Sequence, residues 1–156
     1  FDVPSMCMFF CEVGVDLDTG ETKVVRFMQG TDIGQIIDNR MVRMQLQGGV
    51  GSASLDTATM EECIYDTEGT GKMLTTGQIE YKCRTFNDMP KHSCVIEESH
   101  PDTFMFKAIG IGEISGAAGA SAVLMAISNA IGVEVNAYPA TPDMILKAMK
   151  SKEDNK

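Results

Sequence analysis

Apolar residues crowd the start of the chain, where Met6 to Asp16 reads MCMFFCEVGVD, and return in a second short run from Thr22 to Met28. Asp16-Leu17-Asp18-Thr19-Gly20 between them is turn chemistry, so the pattern predicts a β-hairpin. Gly30 to Asn39 reads as a polar loop. From Met41 to about Ala58 the positions Met41, Met44 or Leu46, Val50 and Leu55 follow a loose helical spacing. Gly48, Gly49 and Gly51 interrupt it, each costing about 1 kcal/mol relative to Ala inside a helix. On pattern alone such glycines predict a tight helix crossing. Ile64-Tyr65, Lys72 to Lys82 and Ser93 to Glu98 read as extended segments divided by the turns Asp66–Gly71 and Asn87–Pro90, and are expected to widen the hairpin into a sheet. From Phe104 the chain is apolar and then glycine-punctuated as far as Glu113. Gly116 to Ile131 is the strongest helical stretch, stopped by Gly132. Val133 to Val135 reads as a short strand, and Thr141-Pro142 opens a last helix through about Lys150.

These elements predict one domain over residues 1–150 and a frayed tail over 151–156, with no repeat or linker to divide them. Apolar residues at 44% and charged residues at 22% suit a folded globular chain. Thirteen Lys and Arg against 22 Asp and Glu leave a net charge of −9, with the cations scattered singly, which argues against a nucleic-acid partner. The longest apolar run, Ala117 to Ile131, falls short of the roughly 20 residues that span a bilayer, so no membrane partner is expected. Phe1-Asp2-Val3-Pro4 shows no initiator Met and no cationic stretch leading into an apolar one, so the numbering is expected to begin inside a longer chain. Five cysteines, an odd set without C-x-x-C, suggest buried thiols and a cytoplasmic location. His92 and His100 stand beside prolines in loop-like sequence with only Cys94 nearby, too few donors for a structural zinc site. The twelve methionines are expected to fill gaps in the core.

Glu113 is the leading candidate for chemistry. Gly110 and Gly112 allow a close backbone approach, and Glu113 is expected at the mouth of the alanine-rich helix. There a carboxylate is favoured by the helix dipole by about 0.3–1 kcal/mol whatever it does. In a dry, glycine-lined pocket, loss of water would instead raise its basicity and suit it to accept a proton. Gly110-x-Gly112 lacks the third glycine and the later acidic residue of a dinucleotide fingerprint. Ser52 and Ser54 lack the His and Asp partners of a serine hydrolase.

In order along the chain stand Glu12-Val-Gly-Val-Asp16, Thr19-Gly20, Asp32-Ile-Gly34, Gln45-x-x-Gly48-Gly49, Glu61-Glu62, Tyr65-Asp66, Gly110-Ile111-Gly112-Glu113, Ile127-x-Asn129-Ala-Ile-Gly132 and Tyr138-Pro-Ala-Thr-Pro142. This series resembles the C-terminal part of the molybdenum-binding subunit of the xanthine dehydrogenase and aldehyde oxidoreductase family, from about Met6 to Met149. Met44, Ser52-Ala53, Ile109 and Ile114-Ser115 depart from that pattern. Ile114-Ser-Gly-Ala and the Tyr-Pro-Ala-Thr-Pro ending look more like the bacterial aldehyde oxidoreductase type.

The resemblance implies an α+β fold with a mixed sheet and packed helices, the second half of a molybdenum cofactor-binding domain. It implies a molybdopterin, in bacteria usually the cytosine dinucleotide, held between this chain and an upstream portion. It implies that Glu113 takes the proton from a molybdenum-bound hydroxyl while the oxygen attacks an electron-poor carbon and hydride passes to a sulfido ligand. Gln45 falls where the family's cofactor-contacting glutamine stands, with Gly48 and Gly49 beside it and Gly110, Ile111 and Gly112 before the base. The implied function is part of a molybdenum hydroxylase that oxidises an aldehyde or N-heterocycle with water as oxygen source. A larger molybdopterin-binding chain, an iron–sulfur subunit and often a flavin subunit would be partners, and this chain alone would be inactive. A non-catalytic subunit that completes such an assembly is the competing reading. A domain of this kind is expected to show an apolar outer face.

Overall fold

The computed structural model describes residues 5–99, 105–116 and 118–154. His100, Phe104, Ala117 and the ends of the chain named above lie outside the described residues. Strand β1 (Met6–Val15) and strand β2 (Thr22–Asp32) form the expected antiparallel hairpin. Asp16 closes its turn, its carboxylate accepting from the backbone N–H groups of Asp18 and Thr19 at 2.9 and 3.0 Å. Gly20 follows with φ +75°, a conformation that glycine adopts without penalty. The register shifts between Glu12 and Val13, which leaves Val25 as an extra residue on β2. Val24 and Phe27, three apart, thereby point into the same core, which an unbroken two-residue alternation forbids.

Strand β3 (Lys91–Glu97) joins the other edge of β2 in parallel, giving the order β1-β2-β3 and a mixed sheet. The sheet therefore grows as expected at Ser93–Glu98, but not at Lys72–Lys82. That stretch meets its neighbour through the bridge between Tyr65 and Met73 and a bond from the Ile64 N–H to Thr75 Oγ1 at 3.1 Å, and otherwise turns on itself. It carries polar residues on both of its would-be faces, and β3 already fills the free edge of β2, so pairing there has nothing to bury. Val133–Val135 is likewise irregular chain, and its Val135 N–H donates to Ser128 Oγ instead of to a strand.

One sheet face is covered. Phe9, Phe27 and Gln29 turn inward, where helix α3 (Gly119–Ile131) crosses β1. The other face presents Met6, Met8, Phe10, Met28 and Val95 outward, the expected apolar surface. None of the twelve methionines is fully buried, contrary to the expectation of core filler. The core is filled by Phe27 with Val, Ile, Leu and Ala, while Met89 and Met149 pack at its margin and Met6, Met8, Met28, Met41, Met44, Met105 and Met125 are exposed. The cysteines also differ from expectation, Cys63 and Cys83 being exposed and the other three half-buried.

The glycine-interrupted stretch is one continuous helical rod. Helix α1 (Asn39–Gly49) starts at Asp38, whose carboxylate caps the N–H groups of Arg40 and Met41, a device worth about 1 kcal/mol. A π-helical segment, Val50–Asp56, follows without a break, and helix α2 (Thr57–Thr59) ends the rod. Val42, Leu46, Val50, Leu55 and Ala58 supply its buried side. Helix α3 ends at Gly132, φ +66°, whose N–H returns to Ser128, the stop read from the sequence. Helix α4 begins at Pro142 as expected but runs to Asp154, so the expected tail continues the helix by a turn. Lys152 accounts for this, its ammonium donating at 3.2 Å to the Ile131 carbonyl at the end of α3.

Candidate functional site

The turn that carries Glu113 is docked on the rod of α1 and the π segment. Gln45 donates through Nε2 to the Gly112 carbonyl, the residue before Glu113. Ser54 donates through Oγ to the Ser115 carbonyl at 2.8 Å, both residues being fully buried. Gly116 closes the turn, its N–H reaching the Glu113 carbonyl at 2.9 Å. The two surfaces interlock through missing side chains. A Cβ on Gly49 would lie 1.8 Å from Ser115 Oγ, one on Gly116 2.6 Å from Ala53 Cβ, and one on Gly119 2.0 Å from Ser54 Oγ. Close packing of this kind tolerates no added methyl without a shift of backbone.

This docking leaves a cavity of about 570 Å³ between rod and turn, on which Gln45, Gly48, Gly49, Gly112 and Glu113 converge. Five of the seven residues singled out in the sequence thus share one wall. Ile111 faces the other way. It is half-buried against Ile33, Val42 and Leu46 and lines a second, apolar hollow that has Gln45 and Gly112 at its boundary. Gly110 is exposed and lines neither.

The three glycines of the rod have different causes. Gly49 packs against Ser115, which stands in a turn and not on a second helix, so the expected helix crossing is a helix-on-turn contact there, and Gly51 lies under Met89, whose Sδ would be 3.1 Å from an added Cβ. Gly48 has nothing within 4 Å of that position and faces open space on the cavity. Of these three, Gly48 alone leaves open space beside the cavity.

Two expectations about Glu113 are corrected. It is exposed, so no dry pocket surrounds it within this chain. Nor does it sit in the first turn of the alanine-rich helix. That helix begins at Gly119 with Ala118 at its N-cap, six residues on, and its first turn holds no acidic residue. The turn from Ile114 to Gly116 intervenes because Ser115 is drawn down onto Ser54 and Gly49.

Sequence reasoning set Ser54 aside and missed a buried ion pair behind the site. Arg84 Nε lies 3.2 Å from Asp56 Oδ1, with the side chains 10% and 5% exposed, and the Arg84 N–H donates to the other carboxylate oxygen at 3.1 Å. The pair fastens the chain leading to Met89, which packs on Gly51. No local pattern announces it, because the partners come from a helix end and a distant loop.

The model of the molybdopterin cofactor-binding domain family matches residues 1–90, which include Gln45, Gly48 and Gly49 and stop short of Glu113. The chain is 32% identical over 142 residues to the gamma subunit of the 6-hydroxypseudooxynicotine dehydrogenase complex of Paenarthrobacter nicotinovorans, covering 86% of this chain and 17% of that protein. It is 30% identical over 138 residues to the aldehyde oxidoreductase molybdenum-binding subunit of Escherichia coli, covering 88% and 19%. Quinoline 2-oxidoreductase from Pseudomonas putida superposes with a TM-score of 0.80 at 28% identity, over 88% of this chain and 18% of that one. Aldehyde oxidoreductase from Desulfovibrio desulfuricans does so with 0.83 at 26%, over 93% and 15%. The chain thus spans under a fifth of the length of each of these relatives. By the match over its first 90 residues, and with an α+β fold that these structures share, the chain belongs to the molybdopterin cofactor-binding domain family.

Proposed function

We propose that this chain forms part of the molybdopterin site of a molybdenum hydroxylase and supplies its general base, Glu113. The observation that carries the reading is the meeting of Gln45 and Glu113, far apart in sequence, on one cavity through the bond from Gln45 to Gly112. The residues present fit such a group. Gly48 and Gly112 have open space where side chains would stand, so a flat cofactor can lie against backbone there. Gln45, its amide nitrogen committed to Gly112, has an amide oxygen to offer as acceptor, and the Ser52 hydroxyl on the same cavity, which donates to the Gly48 carbonyl at 3.1 Å, is left as a second acceptor.

When bound, the molybdenum group supplies the two-electron oxidation of a small electron-poor substrate. The work of this chain is to hold the cofactor edge on Gln45 and Gly48 and to present Glu113. A carboxylate in reach of a proton that is lost in the transition state contributes typically 10²–10⁴-fold as a general base. Glu113 is exposed in this chain, so a dry site around it would need surfaces beyond this chain. The likeness to subunits named for aldehyde and N-heterocycle oxidation supports those two substrate classes, with water as oxygen source. The proposal extends to a cytosine dinucleotide form of the cofactor, to iron–sulfur and flavin groups on partner domains or subunits, and to a cytoplasmic location.

Glu113→Gln in the full-length, assembled enzyme tests it. The expected result is near-total loss of turnover with molybdenum content and assembly unchanged, because the amide keeps the size of the side chain and cannot accept the proton. Full turnover in a loaded, assembled variant overturns the role of base and leaves the chain a structural one.

A further inference from the structure

We propose that Ser54 is a positioning residue for Glu113, and that the π-helical segment exists to put it there. The inference rests on Glu113 being the base. In a plain α-helix, at about 100° per residue, Ser54 stands nine residues and about half a turn round from Gln45, facing away from it. A π turn closes through i→i+5 bonds and takes in about one residue more. Gln45 to Gly49 is one α turn and Gly49 to Ser54 is one π turn, so all three come round to the same side. The contacts agree, since Gln45 meets Gly112, Gly49 meets Ser115, and Ser54 meets both Ser115 and Gly119.

The two hydrogen bonds bracket the base. Gln45 holds the carbonyl immediately before Glu113, and Ser54 holds the carbonyl two residues after it. Without Ser54 the far side of the turn keeps only the long 3.5 Å bond from Ser115 Oγ to the Gln45 carbonyl, whereas the 2.8 Å Ser54 bond holds its backbone and fixes the direction in which the Glu113 side chain leaves it. The Ser54 tether is the dry one. Both of its residues are fully buried, so no water replaces the hydroxyl when it is removed, and the Ser115 carbonyl must move to find another donor. Ser54 does not line the cavity, so its influence passes through the backbone of the turn.

The test compares Ser54→Ala, Ser54→Cys and Glu113→Gln in the full-length, cofactor-loaded enzyme, with turnover counted per molybdenum. For Ser54→Ala, kcat is expected to fall about tenfold to a hundredfold, the order that a displacement of about 1 Å costs, with KM changing less. The acid limb of the kcat–pH profile, which reports the base, moves with it. Ser54→Cys, a weaker donor of similar size, falls between Ala and wild type, and decides the matter if the Ala variant does not fold. Amide hydrogen exchange over residues 113–116 rises in Ser54→Ala even in the cofactor-free protein. A hydroxyl with a purely structural role lowers the thermal midpoint but leaves kcat and its pH profile within about twofold, and that result overturns the proposal. If Glu113→Gln abolishes turnover while both Ser54 variants retain it, only the positioning role fails. If Glu113→Gln retains turnover, the assignment of the base fails and the positioning role with it.

Discussion

Gln45 and Gly112 are joined side chain to backbone, so helix α1 grips the chain one residue before the candidate base. The glutamine therefore has a structural duty alongside any contact with a cofactor, and the two duties separate experimentally.

Gln45→Leu removes the donor and the acceptor together. Loss of the bond to Gly112 should cost about 1 kcal/mol of stability in a urea titration. Molybdenum content should fall as well, because the amide oxygen on the cavity is gone. A variant with wild-type metal content and reduced turnover would reduce Gln45 to a holder of the turn.

Neighbouring glycines should respond in opposite ways to the same methyl group. Gly49→Ala drives a Cβ to 1.8 Å from Ser115 Oγ and should destabilise the protein by about 1–3 kcal/mol. Gly48→Ala meets nothing within 4 Å and gains up to about 1 kcal/mol of helix propensity. Its thermal midpoint without cofactor should rise while the cofactor content of the assembled enzyme falls. Equal loading of Gly48→Ala and wild type would show that no ligand lies on that residue.

His92 predicts a pH dependence. The ring is half-buried on β3, its centroid 6.4 Å from that of Phe27, and Nε2 has no hydrogen-bond partner among the described residues. Burial pulls its pKa below the usual histidine value of 6.5, so the folded state favours the neutral ring. The resulting stability is fully present above pH 6.5 and is lost as pH falls from there through the depressed value. Denaturation midpoints at pH 7.5 and 5.5 should differ less in His92→Phe than in wild type.

What the sequence made legible was local. The hairpin rests on alternation and the Asp16 turn, α3 on its Gly132 stop, and α4 on Thr141-Pro142, and each signal lies within a few residues of the element it predicts. The parallel placement of β3 has no such signal, since its partner strand lies 65 residues earlier, from Arg26 to Lys91. The π turn is silent for another reason. One extra residue blurs a helical spacing without abolishing it, so Ser54 reads as facing away from the partner it binds. Gly48, Gly49 and Gly51 look alike as letters and differ only in what stands opposite. Met6, Met8 and Phe10 are apolar at alternating positions, which shows that they share a face but not which side of the sheet is covered.

The Asp56–Arg84 pair is a further point of fragility. Arg84→Ala leaves a carboxylate 5% exposed without its cation, and breaking a buried pair in this way costs about 3–5 kcal/mol. Loss of this order should appear as a large drop in the urea midpoint, together with loosening of the segment that bears Met89. Unchanged stability would mean that water reaches Asp56 readily.

The parallel seam between β2 and β3 sets a timetable for folding. Arg26 pairs with Lys91, and everything between them, the helical rod included, must be looped out before that seam can zip. Closing so long a loop brings entropy loss ahead of any reward, so late sealing of this edge should limit the rate at which a newly made chain matures. Until then β2 keeps a bare edge beside a greasy hairpin, and the nascent polypeptide is at its most adhesive just before it becomes able to accept a cofactor.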